Sequence, residues 1–252
     1  MPTSQSGDFT RRKHYIPLES DPQVFTKLIH TLGASDSLEF QDVYSLDDPD
    51  LLSLLPRPVL GLVLIFPALD DYEKVWEEDK KTRPVYKGRG EDEPVIWFEQ
   101  TIGNACGLYA LLHCISNGSA RGYLKPDSTI SKLLKQVIPL VPTERALALE
   151  ASQEVERAHA HAGNSGQTEA PDPNDSSIEH HYIAFVTSDL GAHRGAVYEM
   201  DGIKQGPLNT GVTLKEGEDL LGESGRGLIK AFIEREDGES IGFSLMALVK
   251  TG

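Results

Sequence analysis

Apolar positions along the chain change period several times, and each change marks an element. Val24, Phe25, Leu28 and Ile29 recur at helical spacing after Asp21-Pro22, and Gly33 supplies a stop, so a helix is expected over 21–32. Residues 38–46 read as a strand with Phe40 and Tyr44 on one face, and Asp48-Pro49 opens a short helix over 50–55. Residues 59–66 are apolar without a break, the pattern of a central strand buried on both faces. A charged helix over 70–78, a surface loop over 80–92 and a strand over 95–98 follow. Leu108, Leu111, Leu112 and Ile115 then fall on one helical face within 106–117. Further helices are expected over 128–138, 143–158 and 219–235. Strands are expected over 181–187, 196–200, 207–214 and 243–249, the first two paired as a hairpin. The order is mixed α and β, with helices flanking a largely antiparallel sheet in one domain spanning 1–252.

Two stretches break the pattern. Residues 1–12 are polar and expected to be mobile. Residues 159–179 are rich in Gly, Asn, Ser, Gln, Pro and acid, with almost no apolar residue before Ile178. So long a loop inside a domain is often a lid or a linker. The strands that follow are too few for a good second domain, which favours the lid.

Composition narrows the partners. Asp plus Glu number 39 against 24 Lys plus Arg, a formal net charge of −15. Such a surface repels nucleic acid and attracts a basic peptide or protein; acidity that merely aids solubility is the other reading. The start of the chain carries no apolar signal region, and no apolar run reaches membrane-spanning length. The two cysteines, Cys106 and Cys114, stand about 12 Å apart along one predicted helix, too far for a disulfide. A reducing compartment, cytoplasmic or also nuclear, is the expected setting. Nothing in the sequence argues against a monomer.

The chemistry centres on residues 100–117. Asn104 is placed to cap the helix, which leaves Cys106 in the first turn, where free N–H groups and the helix dipole favour a thiolate. Gln100 could offer an amide donor to a developing oxyanion. Cysteines on apolar helices are also commonly plain core residues. A nucleophile needs a base and the base an orienter. His14, His30, His159, His161 and His193 lie in predicted loops or on polar faces. His113 lies about 10 Å along the axis from Cys106, too far for direct proton transfer. His181 opens one strand of the hairpin and Asp201 closes the other, so the two can be cross-strand neighbours. Taken singly, Asp201-Gly202 could be turn chemistry alone and His181 a satisfied strand histidine. No cysteine pair has zinc-ligand spacing, so neither a metal nor a cofactor is expected.

Gln100-Thr-Ile-Gly-Asn-Ala-Cys106-Gly107, His181-Tyr-Ile-Ala-Phe-Val186 and Tyr198-Glu-Met-Asp-Gly202 closely resemble the ubiquitin C-terminal hydrolases, papain-like cysteine peptidases. Shorter matches at Tyr15-Ile-Pro-Leu-Glu19, Thr143-Glu-Arg-Ala146 and Gly166-Gln-Thr-Glu-Ala-Pro171 extend the likeness over nearly the whole chain, which resembles the members made of the catalytic domain alone. The resemblance implies an α/β/α sandwich with a knotted backbone. It implies Cys106 as nucleophile, His181 as general base, Asp201 as its orienter and Gln100 as oxyanion donor, with 159–179 as a crossover loop over the site. His180 stands where a relative has an apolar residue and could compete as base. The implied activity is removal of small adducts or peptide extensions from the C-terminal glycine of ubiquitin. A Nedd8-directed hydrolase and a non-catalytic ubiquitin-binding protein are the alternatives.

Overall fold

The computed structural model describes residues 13–67, 72–166, 180–237 and 242–252. Residues 1–12 and 167–179, which include most of the expected crossover loop, lie outside the described residues. The strands are β1 (Lys13–His14), β2 (Leu38–Asp42), β3 (Val59–Pro67), β4 (Ile102–Gly103), β5 (His180–Thr187), β6 (Ala196–Met200), β7 (Leu208–Thr213) and β8 (Ser244–Lys250). The helices are α1 (Pro22–Leu32), α2 (Pro49–Ser53), α3 (Tyr72–Thr82), α4 (Cys106–Ser116), α5 (Thr129–Val137), α6 (Pro142–Glu150), α7 (Gln153–Gly163) and α8 (Glu223–Asp237). Short 3₁₀ turns occupy Gly118–Tyr123 and Gly191–His193.

Six strands form one antiparallel sheet in the order β2-β8-β3-β5-β6-β7. Alternation along its central strands sorts side chains to two faces. Val63 and Ile65 of β3, Tyr182, Ala184 and Val186 of β5, and Met246 and Leu248 of β8 join the core beneath α1, α4, α5 and α7. Leu62, Leu64 and Phe66, then Ile183 and Phe185, then Leu245, Ala247 and Val249, join a second core beneath α8. The continuous apolar run of β3 therefore serves two cores at once. α4 crosses β3 at Gly61, where an added Cβ would meet the Cys114 Sγ at 2.9 Å. A small pair, β1 with β4, runs parallel and ties the start of the described chain to the entry of α4.

Several boundaries differ from expectation for local reasons. β2 stops at Asp42, and Tyr44 is 74% exposed rather than sharing the buried face of Phe40. Ser45 Oγ accepts the N–H groups of Asp47 and Asp48 and turns the chain there. The helix expected over 143–158 is two helices, because Ser152 caps the second with its side chain on the Val155 N–H. α8 begins at Glu223, not at 219, since the Asp219 carboxylate accepts from the Val59 and Leu221 N–H groups and pairs with Arg57 at 2.8 Å. The expected strand over 95–98 does not form, although the stretch is buried.

His159 is another correction. It lies in α7, not in a loop, and is buried against Tyr15, its Nε2 2.7 Å from the Ile16 carbonyl. Burial pushes its pKa down to about 4. A histidine held neutral in the fold but free to protonate when unfolded stabilises fully above its ordinary pKa, and that stability is lost as pH falls toward 4. The melting temperature is therefore expected to drop between pH 6.5 and pH 4. His159→Gln, which keeps an N–H for Ile16 and cannot titrate, should flatten that drop in a thermal denaturation series; an unchanged slope would refute the assignment.

Candidate active site

Cys106 is the first residue of α4 and 8% exposed. Its helix does not begin as the sequence suggested. Asn104 takes a left-handed φ of 60°, and Ala105, which offers no side-chain cap, stands at the cap position. Asparagine tolerates this conformation better than most residues, so Asn104 serves as the bend that turns the chain from β4 into α4. The first backbone bond of the helix runs from the Tyr109 N–H to the Ala105 carbonyl. That leaves N–H groups of the first turn without helical partners around the thiol.

The sheet delivers the second half. His181 sits in β5 opposite Phe66 of β3, with the two rings edge to face at 5.6 Å. Its Nε2 lies 3.0 Å from Asp201 Oδ1, with both side chains buried. The two are not directly opposite. The β5–β6 ladder ends at Ala184–Met200, so His181 lies beyond its last pair on one strand and Asp201 follows it on the other. The carboxylate reaches back diagonally. It is steadied by the Ile203 N–H, 3.1 Å from Oδ1, while the Trp97 indole N–H donates to the Asp201 carbonyl at 3.0 Å.

Burial opposes a charge on the His181 ring. The Asp201 charge and hydrogen bond, with a hydrogen bond and charge from Cys106, overcome it and raise its pKa to about 9. Cys106, His181 and Asp201 thus form one connected series. His180, the possible competitor, is exposed at the start of the same strand and takes no part in it.

Gln100 is buried beside them. Its Nε2 donates to the Ile102 carbonyl at 3.2 Å, and its Oε1 is buried with no hydrogen-bond partner among the described residues. Its backbone N–H donates to the Gly202 carbonyl at 2.7 Å. A Cβ added to Gly202 would approach the Gln100 Cβ to 2.9 Å. Gly202, which reads in the sequence as simple turn chemistry, is therefore also a packing requirement of the glutamine next to it. Sequence reasoning also missed Arg145. It suits a helix start in the sequence, yet it is fully buried, paired with Glu93 at 2.5 Å, and donates to the Trp97, Val137, Ile138 and Leu140 carbonyls. Its place among Pro142, Ala146 and Leu149 on the buried side of that helix was the available signal.

The sequence profile of ubiquitin carboxyl-terminal hydrolase family 1 matches residues 15–234. The chain belongs to this family. It is thereby a cysteine-type deubiquitinase. It is 35% identical over 248 residues to ubiquitin carboxyl-terminal hydrolase 3 of Arabidopsis thaliana, covering 97% of this chain and 98% of that one. A ubiquitin carboxyl-terminal hydrolase of Drosophila melanogaster is 35% identical over 239 residues, covering 93% and 96%. The fold matches the Trichinella spiralis UCH37 catalytic domain, solved bound to ubiquitin vinyl methyl ester, with a TM-score of 0.71 over 96% of this chain and 98% of that one at 23% identity.

Gly202→Ala is expected to fold and to lower turnover of a ubiquitin C-terminal amide by about tenfold or more, because the new methyl displaces Gln100 or the Asp201 turn. Steady-state kinetics on the purified variant check this, and wild-type turnover would rule the packing requirement out.

Proposed function

We propose that the enzyme hydrolyses the bond after the C-terminal glycine of ubiquitin, with Cys106 as nucleophile, His181 as general acid and base, Asp201 as its orienter and Gln100 as oxyanion donor. The observation that carries this reading is the connection from Asp201 through His181 to a thiol at a helix start. The Cys106 thiolate attacks the glycine carbonyl carbon, and the carbonyl oxygen takes the negative charge. The Cys106 N–H, free of a helical acceptor, is one donor to that oxygen. The Gln100 Nε2 is the other, since it carries two N–H groups and the Ile102 carbonyl takes one. Collapse of the intermediate breaks the C–N bond as the His181 imidazolium gives its proton to the leaving amine. A thioester between Cys106 and ubiquitin remains. His181, now neutral, takes a proton from water as the hydroxyl attacks the thioester, the thiolate and imidazolium are restored, and the carboxylic acid product gives its remaining proton to solvent.

The crossover loop expected over 159–179 is helical at its start, since 159–163 are the end of α7, and 167–179 lie outside the described residues. On the resemblance of Gly166-Gln-Thr-Glu-Ala-Pro171 to the family alone, we propose that leaving groups are selected by size. Small adducts and flexible extensions are then favoured over folded conjugates, and the acidic surface suits the basic tail of ubiquitin.

Cys106→Ala should abolish turnover while leaving ubiquitin binding by calorimetry intact, and ubiquitin bearing a C-terminal electrophile should modify Cys106 and not Cys114. Residual turnover in the alanine variant, or labelling elsewhere, would discard the assignment. The pH profile provides a second check. Because Asp201 raises the His181 pKa to about 9, the proton needed by the leaving amine is present below that value and lost above it. The alkaline limb of kcat/KM should therefore fall near pH 9. In Asp201→Asn it should move to lower pH, with activity reduced about a hundredfold or more. A limb that stays in place would separate it from His181.

A further inference from the structure

The stretch 95–101 is buried over most of its length but pairs with no strand, so its backbone groups need other partners. One face of α4 supplies three of them. Asn117, just past the helix, accepts the Ile96 N–H on Oδ1 at 2.6 Å and donates Nδ2 to the Ile96 carbonyl at 2.9 Å. His113 Nε2 accepts the Phe98 N–H at 3.0 Å. Tyr109 Oη accepts the Thr101 N–H at 3.3 Å. The three side chains are spaced four residues apart, and their partners run 101, 98, 96 as the helix runs 109, 113, 117. Four helical residues rise about 6 Å and two extended residues about 6.6 Å, so the rungs from His113 and Asn117 stay in step with the chain. Asn117 also holds the His113 carbonyl through Nδ2 at 2.9 Å.

We propose that Tyr109, His113 and Asn117 form a positioning ladder that stands in for a missing β-strand and sets the main chain of 96–101, and through it the Gln100 amide, relative to Cys106 on the same helix. The inference rests on the oxyanion role of Gln100. Three further observations support it. His113 is completely buried and absent from the Cys106–His181–Asp201 series, so its burial has no use in proton transfer. Its pKa is pushed down to about 4 by burial, which keeps Nε2 free to accept the Phe98 N–H. The stretch is pinned on its other side by the Gln100 N–H to Gly202 bond, the Trp97 indole bond to Asp201 and the Arg145 bond to the Trp97 carbonyl, so the ladder completes its enclosure. A single rigid helix thus fixes the spacing between the thiol and the donor that must act on the same carbonyl. These residues are positioning residues, not catalytic ones.

The test is a double-mutant cycle on the full chain, read by kcat and KM for a ubiquitin C-terminal amide. Gln100→Ala alone should lower kcat about a hundredfold. His113→Phe, which keeps the ring and removes the acceptor, should lower kcat about tenfold or more with KM within about threefold, and His113→Gln should recover most of the loss. In the Gln100→Ala background, His113→Phe should cost less than about threefold, because the group it positions is already gone. Equal losses in both backgrounds, or full kcat in His113→Phe, overturn the ladder while the Gln100 reading stands. Full kcat in Gln100→Ala removes the Gln100 reading and the ladder with it. If His113→Phe fails to fold, Tyr109→Phe goes through the same cycle. It is expected to lose kcat about threefold only when Gln100 is present, and loss independent of Gln100 overturns the proposal.

Discussion

Every residue of α4 from Cys106 to Ser116 is buried, and the rest of the molecule is arranged around that fact. A helix enclosed on all sides has no solvent to satisfy polar groups on its surface, so each one must meet a protein partner. Tyr109 Oη and His113 Nε2 meet that demand by taking up the backbone of 96–101, whereas Ser116 Oγ is buried with no hydrogen-bond partner among the described residues. The opposite requirement, close packing against the sheet, is met by Gly61 under Cys114. The thiol end of the helix is where enclosure is least complete, and the chemistry sits there.

Charges inside the protein follow the same logic. Arg145 and Glu93 are both removed from water, which is unfavourable unless the remaining donors find acceptors. The guanidinium meets this with four backbone carbonyls from two segments, so the pair joins the α5–α6 turn to the stretch leading into Gln100. Lys204 and Glu199 make a second buried pair at 2.5 Å, next to the turn that holds Asp201. Asp201 is thus joined through Trp97 to Arg145 and lies within reach of the Lys204 charge.

Much of this was legible in the sequence, and the failures have physical causes. The uninterrupted run 59–66 named the central strand because only a strand covered on both faces can be apolar at every position. Cys106, His181 and Asp201 could be singled out because nucleophile, base and orienter are restricted residue types, and the hairpin does bring the last two together. Residues 95–98 misled because an apolar stretch announces burial without naming its hydrogen-bond partners, and here those partners are side chains at 113 and 117. His159 and Arg145 misled because polar residues near helix ends usually face water, whereas packing distant in sequence brings His159 to Ile16, 143 residues away, and Arg145 to Glu93, 52 residues away. Asn104 has the composition of a cap and the geometry of a bend, a choice that only the incoming strand decides.

The strand order has a consequence for how the enzyme comes into being. β8 lies between β2 and β3, and β2 has no other partner in the sheet. A chain made from its N-terminus therefore carries the apolar face of β2 and one edge of β3 unpaired until residues 244–250 have been synthesised. Residues 244–250 must enter the middle of the sheet between β2 and β3, pairings distant in sequence of the kind that slow folding.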